Sequence, residues 1–274
     1  MSNGSRAWRF ARYVLVFYLL IILIMTFLET WLVYPRPPLA RSDWQPAGLS
    51  FEDVHFNSAD GTKLHGWFVP HPSPKRFILY SHGNGEQVAD NADVVAMLRD
   101  KLQASVFIFD YRGYGHSEGS PTEAGCIADA AAAQRWLAER AGIQPNEVVL
   151  IGRSLGGGVV TALAAEQGAK ALVLQNTFPT MPDVAALHYP WLPVRWVMKN
   201  RYDSLARIQK YKGPLFQSHG AADTLIPLQM ARRLYDAAPS KNKQFMELPD
   251  LGHDDLPPSQ YFRELATFLD RIDG

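Results

Sequence analysis

The pentapeptide Gly152-Arg153-Ser154-Leu155-Gly156 constrains this chain more than any other segment. It lies between an apolar run, Glu147 to Ile151, of strand character and a small-residue stretch, Gly157 to Ala165, of helical character. A strand that turns directly into a helix puts the serine on a strained turn, its hydroxyl projecting above a sheet. The flanking glycines remove side chains that would strike the neighbouring strand and helix.

The surrounding pattern supports such a sheet. Phe51 to Asn57 and Lys63 to Val69 read as two strands joined at Asp60-Gly61, an edge hairpin. Short apolar strands follow at Arg76–Ser81, Ser105–Phe109, Ala171–Leu174, Leu215–Gln217 and Gln244–Leu248. Between and after them the pattern predicts helices over Gln87–Lys101, Glu123–Ala141, Leu228–Ala238 and Gln260–Ile272. Buried strands alternating with helices predict an α/β fold, a mostly parallel sheet covered on both faces. Ligands bind such sheets at the carboxyl ends of the strands. The stretch 176–202 breaks the rhythm with Pro179, Pro182, Pro190 and Pro193 among Phe178, Tyr189, Trp191 and Trp196, and reads as a small inserted cap.

The N-terminus carries a different signal. Tyr13 to Tyr34 holds one charged residue, Glu29, and is long enough to span a bilayer. Trp8, Tyr13, Trp31 and Tyr34 suit interfacial anchoring, and Arg6, Arg9 and Arg12 precede the run without an acid. These features predict a cytoplasmic segment 1–12, an uncleaved transmembrane signal anchor 13–34, and a catalytic domain on the non-cytoplasmic side, periplasmic in a bacterium. A cleaved signal peptide is the competing reading. It fits less well, because the apolar core exceeds the roughly 7–15 residues of a signal peptide and no small-x-small site follows closely. Residues 35–50, with prolines at 35, 37, 38 and 46, read as an extended linker to a domain over 51–274.

Charge and cysteine content exclude several classes. The 27 basic and 27 acidic residues balance, and no basic block points to nucleic acid. Cys126 is the single cysteine, which excludes an intramolecular disulfide and any multi-cysteine zinc site; its alanine-rich setting reads as a small buried hydrophobe. No H-E-x-x-H is present, and no G-K-S/T follows Gly156-Gly157-Gly158, so neither a metal nor a phosphate-bearing cofactor is expected.

Taken with Ser81-His82-Gly83-Asn84-Gly85, Asp110-Tyr111-Arg112-Gly113-Tyr114-Gly115, Gly220-Ala221-Ala222-Asp223 and Gly252-His253-Asp254, the pentapeptide gives an order and spacing that resemble the α/β-hydrolase fold. More narrowly, they resemble its membrane-anchored, single-pass serine hydrolases, including sequences of serine-aminopeptidase type. The resemblance covers roughly residues 50 to 272. It implies Ser154 as nucleophile, His253 as general base and Asp223 as the acid that orients the imidazole, in the fold's chain order Ser…Asp…His. A turn residue capping the next helix is the other reading of Asp223. The alternative acid position, after the preceding strand, holds Asn176. The resemblance also implies an oxyanion hole from the backbone N–H groups of Leu155 and Asn84. His219 is expected to pack the acid loop, and Arg112 to tie down its own loop. His55, His65, His71, His116 and His188 are expected to be structural or exposed.

The implied activity is hydrolysis of acyl esters or thioesters through an acyl-enzyme, on a small-molecule or lipid-like substrate held in an apolar pocket lined by the aromatic cap. A peptidase or amidase of the same fold and a non-catalytic membrane-anchored binding protein are the alternatives.

Overall fold

A computed structural model of the chain describes residues 3–273. Residues 1 and 2 of the expected cytoplasmic segment, and Gly274, lie outside the described residues. The N-terminal helix α1 spans Asn3–Val33. It runs unbroken through Arg6, Arg9 and Arg12 rather than starting after them. From Arg6 to Val33 it is long and apolar enough to cross a membrane.

The hairpin β1 (Glu52–Asn57) and β2 (Lys63–Val69) leads into β3 (Arg76–Ser81), α2 (Ala92–Leu102) and β4 (Ala104–Phe109). Then come α3 (Glu123–Ala141), β5 (Val149–Arg153), α4 (Leu155–Gln167) and β6 (Ala171–Gln175). The inserted cap carries α5 (Met181–His188) and α6 (Val194–Val197). The chain closes with α7 (Ser204–Ile208), β7 (Leu215–Gly220), α8 (Leu228–Ala237), β8 (Lys243–Leu248) and α9 (Ser259–Asp273). One sheet holds all eight strands, in the order β1-β2-β4-β3-β5-β6-β7-β8. β1 and β2 pair antiparallel at one edge, β2 meets β4 antiparallel, and the other pairs are parallel.

Side chains alternate across this sheet, as the two-residue period of a strand requires. Leu79, Phe107, Phe109, Leu150, Leu172 and Leu174 enter the core beneath α3 and α4. Ile78, Tyr80, Val106, Ile108, Val149, Ile151 and Val173 enter the core beneath α2 and α9. Each such side chain, fully buried, stabilises the fold by about 1.5–3 kcal/mol before conformational entropy is counted. Helix boundaries follow local chemistry. Thr122 caps α3 by accepting from the Gly125 N–H, and Gly142 ends it with φ of 69°. On α9, Tyr261, Phe262, Leu265, Phe268 and Leu269 share one buried face.

Polar side chains hold the loops. Arg112 lies bidentate against fully buried Asp129, with Nη2–Oδ1 of 2.7 Å and Nε–Oδ2 of 3.0 Å, and also donates to Asp60 and Ser58. It thus ties its loop to α3 and to the hairpin turn, as expected. Cys126 is fully buried. Residues 35–50 lie along the domain instead of hanging free: Trp44 packs on His65, Trp67 and His116, and Ser42 bonds to Asp90.

α1 also docks, at its C-terminal end. The Glu29 carboxylate accepts from the Lys199 N–H (2.9 Å), the Asn200 N–H (2.7 Å) and the Asn200 side-chain amide (2.9 Å). Tyr34 Oη donates to Asn200 Oδ1 at 2.8 Å and lies 2.9 Å from Tyr202 Oη. Further along the helix, Tyr18 Oη donates to the carbonyl of Trp191 at 2.8 Å.

His65 is buried between two carboxylates, with Nε2 2.9 Å from Asp53 and Nδ1 3.1 Å from Asp110. Burial alone would lower its pKa, but the two carboxylates outweigh burial and raise it. The folded state therefore holds this proton more tightly than the unfolded chain. The resulting stabilisation is complete below the ordinary histidine value and is lost as pH rises through the raised one. The melting temperature of the wild type should fall as pH rises above the ordinary histidine value, and His65→Gln should remove that part of the fall; an unchanged pH dependence in the variant would refute the assignment.

Candidate active site

The turn between β5 and α4 is built from backbone contact. A Cβ on Gly156 would overlap the Ser81 backbone at the end of β3, and one on Gly152 would overlap the Gly156 backbone. Helix α4 can lie this close to the sheet only without those side chains. Ser154, between them, adopts φ of 52° and ψ of −118°. Such a conformation costs a non-glycine residue about 1–3 kcal/mol and persists where the surroundings enforce it. The Ser154 N–H donates to the Gln175 carbonyl on β6, and the Ser154 carbonyl accepts from Thr177 Oγ1.

The structure brings the three side chains expected from the sequence together at the carboxyl ends of β5, β7 and β8. Ser154 Oγ lies 3.0 Å from His253 Nε2, and His253 Nδ1 lies 2.7 Å from Asp223 Oδ2. Asp223 is a turn residue but does not cap the next helix, α8, whose N-cap is Pro227. Its Oδ1 accepts from the N–H groups of Leu225 and Ile226, while Oδ2 faces the imidazole. Burial alone would raise its pKa. Hydrogen bonds from His219, His253 and the Ile226 N–H outweigh burial and hold the carboxyl well below its ordinary range. His219 Nε2 donates to the Ile226 carbonyl at 2.7 Å and stands 3.4 Å from Asp223 Oδ2, so it packs the acid loop as expected.

On the other side lies the loop after β3. His82 Nδ1 donates to the Gly83 carbonyl at 2.7 Å, and burial lowers the pKa of this ring. The Gly83 N–H is taken by Glu86 at 3.0 Å. The Asn84 carbonyl accepts from Tyr114 Oη at 2.8 Å, and its side chain donates to the Val33 carbonyl at the end of α1 at 3.0 Å. Among the described residues, neither the Asn84 nor the Leu155 N–H donates to an acceptor of the chain. The remaining histidines have no contact with Ser154: His55 and His65 face each other across the hairpin strands, His116 packs against His65, His71 caps a turn, and His188 bonds to the Leu225 carbonyl.

Two positioning residues escaped sequence reasoning. Arg153 pairs with Glu86 and donates to the His253 carbonyl at 2.8 Å and to Asp254 at 3.0 Å. It joins the histidine loop to the loop after β3. Asn176 has φ of 44°. Its amide donates to the His253 carbonyl at 2.9 Å, and its Oδ1 accepts from the Gly220 N–H at 3.0 Å, so it braces the histidine and acid loops together. A single sequence carries no signal for either beyond their adjacency to Ser154 and to β6.

The cap departs from expectation in one respect. It does line an apolar cavity, of about 450 Å³, but α1 supplies the opposite wall and Ser154 and His253 are not among its lining residues. The cavity approaches the site through Leu225, two residues beyond Asp223. Trp191 and Trp196 do not line it and point outward. Among the described residues no group of three or more His, Cys, Asp or Glu is placed to hold a metal ion.

A mainly parallel sheet, covered on both faces, with a serine on the turn after a central strand is the architecture of an α/β hydrolase. A family profile described as alpha/beta hydrolase fold matches residues 77–206. An uncharacterised protein of Mycobacterium tuberculosis is 37% identical over 221 residues, covering 80% of this chain and 77% of that protein. The alpha/beta hydrolase domain-containing protein WAV2 of Arabidopsis thaliana is 33% identical over 277 residues, covering 92% of this chain and 90% of its own. Among solved structures, the Pyrococcus furiosus esterase Pf2001 superposes with a TM-score of 0.71 at 22% identity, covering 87% of this chain and 98% of that one, a likeness of fold. The chain belongs to the alpha/beta hydrolase family.

Arg153→Met should slow modification of Ser154 by a fluorophosphonate by about 10–100-fold, the equivalent of one or two charge-assisted hydrogen bonds at about 1.5–3 kcal/mol. Circular dichroism should be unchanged. Modification at the wild-type rate would remove Arg153 from the positioning network.

Proposed function

We propose that the protein is a serine hydrolase that cleaves acyl esters or thioesters through an acyl-enzyme. The observation that carries this reading is the continuous line from Ser154 Oγ through both nitrogens of His253 to Asp223, at 3.0 and 2.7 Å. A serine hydroxyl is a weak nucleophile at neutral pH and needs a positioned base. In this reading His253 Nε2 takes the Ser154 proton as Oγ attacks the acyl carbonyl. Asp223, ionised throughout, holds the other ring nitrogen as the N–H tautomer and stabilises the imidazolium. The tetrahedral oxyanion is received by the Asn84 and Leu155 N–H groups, each worth about 2.7–4 kcal/mol if it behaves as a typical hole donor. Collapse expels the alcohol or thiol with the proton from His253. Water, deprotonated by the same ring, then releases the acid.

The strain at Ser154 supports the reading, since such strain concentrates where a side chain must be presented rather than packed. The apolar cavity under the cap supports an acyl substrate rather than a charged one. We further propose that α1 is an uncleaved anchor, with Arg6, Arg9 and Arg12 on the cytoplasmic side and the catalytic domain on the other.

Ser154→Ala should abolish fluorophosphonate labelling and lower turnover of p-nitrophenyl esters by on the order of 10⁶-fold, with the melting temperature retained. Unchanged turnover would sink the hydrolase reading. A reporter fused after Gly274 should behave as non-cytoplasmic; cytoplasmic activity of the reporter would reverse the topology.

A further inference from the structure

The cap and α1 lie side by side over a length that matters if α1 crosses a membrane. Contact begins at Glu29, whose carboxylate meets the N–H groups of Lys199 and Asn200, and continues to Tyr18, which bonds to the Trp191 carbonyl. Between Tyr18 and Glu29 the helix rises about 16 Å, at about 1.5 Å per residue. A hydrocarbon core is about 30 Å thick, so this length matches one leaflet. Helix α1 cannot cross before it reaches the cap. From Arg6 to Phe17 it rises only about 16 Å, and that stretch includes all three arginines. The stretch from Tyr18 to Leu32 must therefore lie in the hydrocarbon, and whatever packs beside it lies at the same depth.

The outer surface of the cap suits that depth. Trp196 is 90% exposed and Trp191 54%, with Leu187 and Tyr189 exposed beside them. In water these side chains would form an unexplained apolar patch. Pro190 and Pro193 have no N–H to satisfy, and the N–H groups of Leu192, Trp196 and Val197 are bonded within the cap. Arg195 is paired with Asp183 at 3.1 Å. The groove facing α1 is mainly apolar on both walls, with Ile22, Met25 and Leu32 opposite Val184, Leu192 and Val197, and Glu29 and His188 as its ionisable members.

We propose that the cap is immersed in the bilayer leaflet adjoining the catalytic domain, and that the groove between cap and α1 takes a fatty acyl chain of a bilayer lipid. The inference rests on the reading of α1 as a membrane span and not on the chemistry at Ser154. The substrate would then be drawn sideways from the leaflet, past Leu225, rather than from water.

The test uses the full-length protein in phosphatidylcholine liposomes. Trp196→Cys and Leu187→Cys carry a nitroxide, Cys126 being buried, and Arg271→Cys on the exposed face of α9 serves as the aqueous reference. Both cap labels should show an oxygen-to-nickel-chelate collision ratio several-fold above the reference. In liposomes containing phosphatidylcholine with a diazirine in its acyl chain, crosslinks should fall on residues 22–32 and 181–198, in the wild type and in Ser154→Ala alike. Release of the protein by alkaline carbonate would overturn the membrane span and this inference together. Retention in the membrane with water-exposed cap labels, or crosslinks absent from the groove, would overturn the inference alone. Groove crosslinks in a protein that hydrolyses no ester would leave the inference standing and sink the hydrolase reading.

Discussion

The approach of α4 to the sheet is the constraint on which the rest of this molecule depends. Gly156 rests against the backbone of Ser81, so the helix begins almost in contact with the end of the neighbouring strand. The turn that permits this holds Ser154 in a backbone conformation that a side chain disfavours. It is tolerated because the Gln175 carbonyl and the Thr177 hydroxyl hold the Ser154 peptide from β6 and the chain just after it. Packing of a large hydrophobic sheet thus supplies the energy that keeps one hydroxyl raised above its edge.

Around that hydroxyl, three loops from different strands must agree in position to within a fraction of an ångström. Two side chains do most of the bracing. Arg153 reaches from the turn itself to the histidine loop and, through Glu86, to the loop after β3. Asn176 reaches from the end of β6 to both the histidine and acid loops. Asn176, at the place after β6 where the fold offers an alternative position for an acid, is instead a strut between these two loops.

Much of this was legible in the sequence, and the reason is physical. The alternation of β1, the short apolar strands β3 to β6 and the periodicity of α3 and α9 are local properties, so single residues reveal them. The Ser154, Asp223 and His253 positions were legible because each follows a strand in a fixed order. The bracing roles of Arg153 and Asn176 were not, because they depend on hydrogen bonds to residues 44 to 101 positions away. The cap was visible as a break in rhythm, but not the direction its tryptophans face. That direction is set by α1 occupying the inner side, a contact between segments more than 160 residues apart. The linker, read as extended from its prolines, lies against the domain because Trp44 finds an aromatic seat that composition alone does not disclose.

Glu29 gives the assembly an order in time. In the finished protein its carboxylate has three N–H donors, all from Lys199 and Asn200, residues synthesised long after the helix. A nascent α1 has none of them, and an unsatisfied carboxylate resists entry into hydrocarbon. In the membrane seating proposed for α1, the helix would reach its final depth only when the cap has folded onto it. Seating and completion of the domain would then be one event, and a chain whose cap failed to form would be left with α1 riding high, distinguishable from the native one by the position of a single acid.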